Sequence, residues 1–99
     1  MYLVIVHHWS KPGMLAATRE LVDKVGNDML SVPGFRFRHR IEQDNELAKV
    51  STLTAWDNEE AFENYRKSRK PPALDNPTVP FDRYERELYT VKSTAGETA

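Results

Sequence analysis

The stretch Leu53–Tyr65, with the sequence LTAWDNEEAFENY, indicates a β-strand that ends on Trp56 and turns at once into a short amphipathic helix. Asp57 can cap this helix, and Glu60 stands three residues later, where the second residue of a capping box belongs. A strand, a helix and a second strand precede this stretch, and one more strand follows it. The order β-α-β-β-α-β predicts a ferredoxin-like α+β fold, in which an antiparallel four-stranded sheet carries two helices on one face.

The other elements follow from the spacing of the apolar residues. Apolar residues recur every three or four positions between Met14 and Leu30, which predicts one face of a helix. Residues 35–42 alternate between apolar and polar, and this alternation predicts a half-buried strand. One face of that strand would carry Phe35, Phe37, His39 and Ile41. The predicted elements are strands over residues 2–9, 35–42, 47–56 and 83–92 and helices over residues 14–30 and 58–69.

The size and composition indicate one small domain. The chain has 99 residues, and we predict a single domain over residues 1–92 followed by a disordered tail over residues 93–99. The net charge of -1 gives no basic footprint for nucleic acid, and the lack of cysteine excludes disulfides and thiolate metal sites. The longest apolar run near the N-terminus is too short for a signal peptide or a membrane span. We therefore expect a cytoplasmic protein that binds neither nucleic acid nor membrane.

A domain of this size with one uncovered sheet face is expected to form a homodimer, because a small domain alone buries only a modest fraction of its surface. In the predicted fold the second and fourth strands are the edges of the sheet. One edge carries Arg36, Arg38 and Arg40, and the other carries Glu85 and Glu87. These opposite charges could meet across a two-fold axis. The alternative is that both runs are solvated faces of edge strands.

Three motifs, taken in order, resemble the antibiotic biosynthesis monooxygenase family, a branch of the dimeric α+β barrel proteins. They are Lys11-Pro12-Gly13 before the first helix, Val32-Pro33-Gly34-Phe35 entering the second strand, and the Thr54–Phe62 segment leading into the second helix. The resemblance covers roughly residues 1–92. It implies a ligand pocket between the sheet and the helices. It also implies a reaction like that of the cofactor-independent monooxygenases, which act on quinols and anthrone-like polyketides.

The family also contains haem-degrading enzymes, and this chain departs from their pattern. That branch resembles the present chain in fold but uses an Asn on the first strand, a Trp on the second helix and a His shortly after it. The nearest first-strand position here is about Val6, the helix position holds Tyr65, and no histidine follows His39. We therefore do not expect haem degradation of that kind.

Several aromatic residues could line the implied pocket. The candidates for substrate binding are Phe35, Phe37, Trp56 and Phe62, with Tyr65 beside them. Such a set suits a flat aromatic ligand, although plain core packing explains each residue equally well. A proline-rich loop over residues 71–82 could form a rim or a lid over the same pocket.

Histidine is the natural general base, because its ordinary pKa lies near neutrality. His7 and His8 are neighbours on a strand and point to opposite faces, so they cannot hold one metal together. No other metal-binding spacing is present, and we predict no metal. The alternation of the strands favours His8 or His39 as the base, and a structural role remains open for each. Arg69 or Tyr65 could stabilise an anion formed from the substrate.

The family resemblance implies a small homodimeric oxygenase that needs no metal, flavin or haem and oxidises an electron-rich aromatic, such as a quinol, phenol or anthrone, with O2. The sequence itself shows that suitable residue types are present. The first alternative is an isomerase or lyase of the same barrel superfamily, which would use the same base and donor without O2. The second is a non-catalytic small-molecule-binding or stress-associated protein. Fold-level likeness alone does not choose among the three.

Overall fold

The computed structural model describes residues 1–96 and consists of one four-stranded antiparallel sheet and two helices. The elements in chain order are β1 (Tyr2–Ser10), α1 (Leu15–Asp28), β2 (Phe35–Ile41), β3 (Lys49–Trp56), α2 (Glu59–Lys67) and β4 (Phe81–Thr90). The strands lie in the order β2-β3-β1-β4, with every neighbouring pair antiparallel. This arrangement confirms the ferredoxin-like α+β fold and the prediction that β2 and β4 are the edges.

The core lies between the sheet and the helices and is centred on Trp56. This side chain is fully buried, and its ring packs edge to face against Phe35 at 5.4 Å and against Phe62 at 5.7 Å between centroids. Its indole N–H donates to the Thr54 hydroxyl oxygen at 2.9 Å, so the one polar atom of the ring is satisfied inside the core. Trp56 therefore joins the end of β3 to the buried face of α2.

Asn58, and not Asp57, caps α2. The backbone of Asn58 is extended, and its side-chain oxygen accepts a hydrogen bond from the Ala61 backbone N–H at 2.9 Å. The carboxylate of Asp57 instead accepts a hydrogen bond from Arg36 at 2.8 Å. The predicted capping box is wrong because the helix begins one residue later than its spacing requires, which leaves Ala61 in the third helical position.

A β-bulge near the start of β2 overturns the prediction that Phe35 and Phe37 share a face. Phe35 lies opposite Trp56, while Phe37 lies opposite Ala55, so two steps along β2 match one step along β3. Arg36 is the extra residue, and it shifts the alternation of the strand by one position. Phe35 consequently faces the helices, whereas Phe37 and the residues that follow it at every second position, His39 and Ile41, lie on the opposite face.

The same bulge directs Arg38 toward α1. Its guanidinium donates to the backbone carbonyl oxygen of Val22 at 2.6 Å and approaches a carboxylate oxygen of Asp23 at 3.4 Å. Gly26 leaves the room for this side chain, because a Cβ atom at that position would lie 2.5 Å from the Arg38 Cζ atom. A glycine inside a helix costs about 1 kcal/mol relative to alanine. Here the glycine makes room for the half-buried Arg38 side chain and its hydrogen bond to Val22.

No helix covers the other face of the sheet within residues 1–96, and we call this the open face. Its half-buried apolar side chains come from three strands: Leu3, Ile5, Trp9, Phe37 and Leu53. A polar chain also crosses it. The His7 ring bonds to the Ser51 hydroxyl at 2.6 Å on one side and to the Glu87 carboxylate on the other, and the Tyr89 hydroxyl donates to Glu87 at 2.8 Å.

The charged residues of the two sheet edges have partners within the chain. Arg36 contacts Asp57, and Arg40 contacts Asp23 at 2.9 Å. Glu85 accepts a hydrogen bond from Arg83 at 2.8 Å. The predicted contact between the two edges across a dimer therefore remains a prediction, and it would have to displace these intramolecular bonds.

The C-terminal segment has no helix or strand after Thr90 within the described residues. Residues 93–96 are exposed, and residues 97–99, which complete the predicted tail, lie outside the described part of the chain. Within that part, no helix has both the length and the apolar composition needed to cross a membrane.

Candidate functional site

A cavity of about 640 Å³ lies between the sheet and the two helices. Side chains of β1, β3 and β4 form its floor, the apolar face of α1 forms one wall, and α2 forms the other. Pro71 and Pro72, which follow the end of α2 by four and five residues, also line the cavity. The loop that follows is tied to the start of α1 through Pro80, whose carbonyl oxygen accepts hydrogen bonds from the Lys11 backbone N–H at 2.9 Å and from the Thr18 hydroxyl at 3.3 Å.

The cavity brings together five of the eight residues predicted from the sequence to form the site. These are His8, Trp56, Phe62, Tyr65 and Arg69. Phe35 lies behind Trp56 and supports it. Phe37 and His39 lie outside the cavity because the bulge in β2 turns them to the open face, where their rings pack together at 5.3 Å.

His8 lies on the cavity floor with its tautomer fixed by a backbone hydrogen bond. Its Nδ1 atom lies 3.2 Å from the carbonyl oxygen of Val50, which can only accept, so Nδ1 carries the proton. The ring packs edge to face against Phe81 at 4.8 Å. Burial lowers the pKa of His8, and this effect outweighs the opposite influence of the Val50 hydrogen bond. The imidazole is therefore neutral at neutral pH, with a free electron pair on Nε2.

Tyr65 of α2 and Arg69, which lies two residues beyond the end of this helix and not within it as predicted, form the polar part of this wall. The Arg69 guanidinium lies 5.6 Å from the centroid of the Tyr65 ring, and that ring stacks at a tilt against Trp56 at 5.3 Å. Burial raises the pKa of Tyr65, and the nearby Arg69 only partly opposes this rise. The phenol therefore stays protonated near neutral pH and can donate a hydrogen bond, while Arg69 supplies a fixed positive charge.

Arg86 is a cavity residue that sequence reasoning missed. It lies on β4 opposite Val6, on the face that the helices cover, and its guanidinium is 5.8 Å from the centroid of the Phe62 ring. The alternation of β4 could have indicated this residue, because it places Arg86 on the face that the helices cover. A charged side chain at such a position needs a partner or a cavity. Arg38 was missed for a different reason, since the unforeseen bulge determines where it points.

The polar chain through His7 lies on the open face and does not reach the cavity. Hydrogen bonds lower the pKa of Glu87, and the bond from His7 has a larger effect than the bond from Tyr89.

No group of three or more His, Cys, Asp or Glu side chains within residues 1–96 is arranged to hold a metal ion.

The sheet order, the helix pair and the cavity between them define a ferredoxin-like α+β protein with room for one small ligand. The model of the family described as antibiotic biosynthesis monooxygenase matches residues 1–71 of the 99-residue chain. The chain therefore belongs to the antibiotic biosynthesis monooxygenase family, as the sequence motifs predicted. No curated protein matches the chain significantly.

Solved structures with the same fold include enzymes and proteins of several kinds. SnoaB, a cofactor-independent oxygenase from Streptomyces nogalater, is 18% identical with a TM-score of 0.70, over 97% of this chain and 98% of SnoaB. Rv0793 from Mycobacterium tuberculosis is 16% identical with a TM-score of 0.75, over 96% of this chain and 98% of its own. A variant of MhuD with two manganese protoporphyrin IX molecules per active site is 13% identical with a TM-score of 0.76, over 98% of this chain and all of MhuD. At these identities the likeness shows the fold alone.

Proposed function

We propose that the chain is a cofactor-independent monooxygenase that oxidises an electron-rich aromatic substrate with O2. The observation that carries the proposal is His8, a neutral imidazole with a fixed tautomer on the floor of an aromatic cavity. A general base for carbon or phenol acids must be unprotonated at the working pH and must face the substrate. His8 satisfies the first condition through burial and the second through its place in the cavity lining.

Trp56 and Phe62 are the proposed walls of the substrate slot. They meet edge to face, and Phe35 packs edge to face against Trp56. Flat aromatic ligands bind well to such surfaces because rings of ligand and protein pack in offset or edge-to-face contact. The cavity is of the size that encloses a small ligand, which helps to exclude water from a reactive anion.

In the proposed reaction His8 Nε2 removes a proton from the substrate and leaves a delocalised carbanion or phenolate. Tyr65 or Arg69 stabilises the negative charge. The anion gives one electron to O2, and the resulting radical and superoxide combine to form a carbon–oxygen bond. The imidazolium returns its proton to this peroxide. For an anthrone, whose reacting carbon carries two hydrogens, loss of the second proton from that carbon expels hydroxide from the peroxide, so that a CH2 group and O2 become a C=O group and water.

SnoaB, a cofactor-independent oxygenase, shares the fold of this chain, so the fold is compatible with the proposed reaction. An isomerase or lyase would use the same base and the same donor, and it would differ in leaving O2 unused. The direct test is O2 consumption by the EDTA-treated protein with a panel of hydroquinones and anthrones. Uptake above the autoxidation rate supports the oxygenase. Turnover of a keto–enol substrate under anaerobic conditions, with no O2 uptake by any compound, would favour the isomerase.

We infer in addition that two copies of the chain pair through the open face. Apolar side chains such as Ile5 and Leu53 lie on this face without a covering helix, and association would remove them from water. A monomeric mass by light scattering at micromolar concentration would contradict the pairing.

A further inference from the structure

We propose that the ligand of the cavity is an aromatic carboxylate, in which the acid group lies at the mouth and the ring lies in the slot. This inference rests on the proposed function for the reacting ring and goes beyond it in the class of substrate. Six cationic side chains line the cavity: Arg38, Arg66, Lys67, Arg69, Lys70 and Arg86. Among the described residues that form the lining, none is an aspartate or a glutamate.

Two of the six cations already have partners. Arg38 bonds to the Val22 carbonyl oxygen and approaches Asp23, and Arg66 forms an ion pair with Glu63 at 2.7 Å. The other four, which are Lys67, Arg69, Lys70 and Arg86, form no ion pair with a side chain of residues 1–96. Four of the cationic groups that line the cavity therefore have no ion-pair partner within the described residues.

Arg69 and Arg86 are placed to meet a ligand that lies against the aromatic walls. Their guanidinium groups lie 5.6 Å and 5.8 Å from the centroids of Tyr65 and Phe62, and both rings line the cavity. A flat ring bound against these walls would present a substituent on its edge to the guanidinium groups. Arginine binds carboxylates through paired, charge-assisted hydrogen bonds, which are stronger than neutral ones.

The usual preference for positive charge at the C-terminal end of a helix explains only some of these cationic residues. Lys67 and Lys70 lie at or just beyond the C-terminus of the helix, where positive charge complements the helix dipole. Arg86 comes from β4, on the sheet side of the cavity, so the dipole gives no reason for it. The hydrogen bond from Arg66, and to a smaller extent the charge of Arg86, lower the pKa of Glu63. The Glu63 carboxylate is therefore already bonded to Arg66 and is not an ion-pair partner of Arg86. Cations that line one cavity from two elements favour an anionic ligand.

The experiment compares the binding of anthraquinone-2-carboxylate with that of anthraquinone-2-carboxamide by titration calorimetry. Both probes are already oxidised, so binding is measured without any reaction. We expect the carboxylate to bind about tenfold more tightly at low salt, a factor that corresponds to one charge-assisted hydrogen bond. The preference should shrink as salt is raised and should be lost in Arg86→Gln and reduced in Arg69→Gln. Arg83→Gln is the matched control, because Arg83 lies on the same strand and stacks on Trp9 of the open face.

Equal binding of the two probes, binding of neither, or an equal loss of preference in Arg83→Gln would overturn the inference. The outcome is separable from that of the proposed function. A carboxylate preference in a protein that consumes no O2 would uphold the ligand class and reject the oxygenase. Oxygen uptake that is as fast with neutral anthrones as with their carboxylates, together with equal probe binding, would uphold the oxygenase and reject the ligand class.

Discussion

Replacing Gly26 by alanine should destabilise the protein, although the same change stabilises most helix interiors. Alanine favours the helix by about 1 kcal/mol over glycine. Its Cβ atom would, however, lie 2.5 Å from the Arg38 Cζ atom, so the arginine side chain must leave its place. The displaced guanidinium loses its 2.6 Å hydrogen bond to Val22, and a bond from a charged donor is worth about 1.5–3 kcal/mol. The net loss in the free energy of unfolding is then about 0.5–2 kcal/mol.

The sign of this effect should reverse when Arg38 is absent. In an Arg38→Ala background the added methyl group meets no guanidinium, so Gly26→Ala should raise the free energy of unfolding by up to about 1 kcal/mol. Arg40→Ala is the matched background, because it also removes an arginine contact with Asp23 but leaves the Gly26 site unchanged. There, Gly26→Ala should still destabilise. Urea unfolding followed by circular dichroism measures all the values. Stabilisation by Gly26→Ala in the wild-type chain would refute the proposed packing.

Three further predictions concern the cap, the core and the buried histidine. Asn58→Ala should lower the free energy of unfolding by about 1 kcal/mol through loss of the cap, whereas Asp57→Ala, which removes only an exposed ion pair, should cost less than about 0.5 kcal/mol; equal losses in urea unfolding would mean that the helix begins elsewhere. Trp56→Ala should cost about 3–5 kcal/mol because the side chain is fully buried, and a loss below about 1 kcal/mol would contradict its central place in the core. Burial lowers the pKa of His8 in the folded protein below its value of about 6.5 in the unfolded chain, so the unfolded state binds more protons as the pH falls. The stability that the neutral His8 ring contributes is therefore fully present above about pH 6.5 and is lost as the pH falls through the folded pKa. His8→Asn should therefore lose less stability than the wild type between about pH 7 and pH 5 in urea titrations, and identical losses would show that His8 is not buried as a neutral ring.

The order of elements was predictable because it depends on patterns that each segment carries by itself. The strand ending at Trp56, the amphipathic face of α1 and the turn between β2 and β3 each leave a local signature in the sequence. The helix faces also follow from spacing alone, and so Phe62 and Tyr65 could be expected on one side of α2, although the helix ends two residues before Arg69.

The faces of β2 were not predictable because one bulge residue changes them all. Strict alternation predicts that Phe35, Phe37 and His39 lie on one face of β2. The extra residue Arg36 places Phe35 on one face and the other two on the opposite face. A bulge has no strong sequence signal when the extra residue is an ordinary one. Its effect on the site is large, because it removes His39 from the cavity and brings Arg38 into it.

The contacts of several polar and charged residues could not be predicted from the sequence either. The capping of α2 by Asn58 depends on where the helix begins, to within one residue, and local propensity does not fix that point. The approach of Arg38 to Gly26 joins two elements, and only the packing of β2 against α1 reveals it. The place of Arg86 in the cavity lining likewise depends on how the helices pack against β4, which the sequence does not reveal.

His8 is the central residue of the proposed cofactor-independent oxygenation, because it supplies the base. The decisive measurement is the initial rate of O2 uptake by the EDTA-treated protein with an anthrone, compared among the wild type, His8→Asn and His39→Asn. We expect uptake above autoxidation that falls by about 100-fold or more in His8→Asn and is retained in His39→Asn, since general base catalysis contributes about that factor. A rate that survives in His8→Asn, or one that is lost only in His39→Asn, would contradict it.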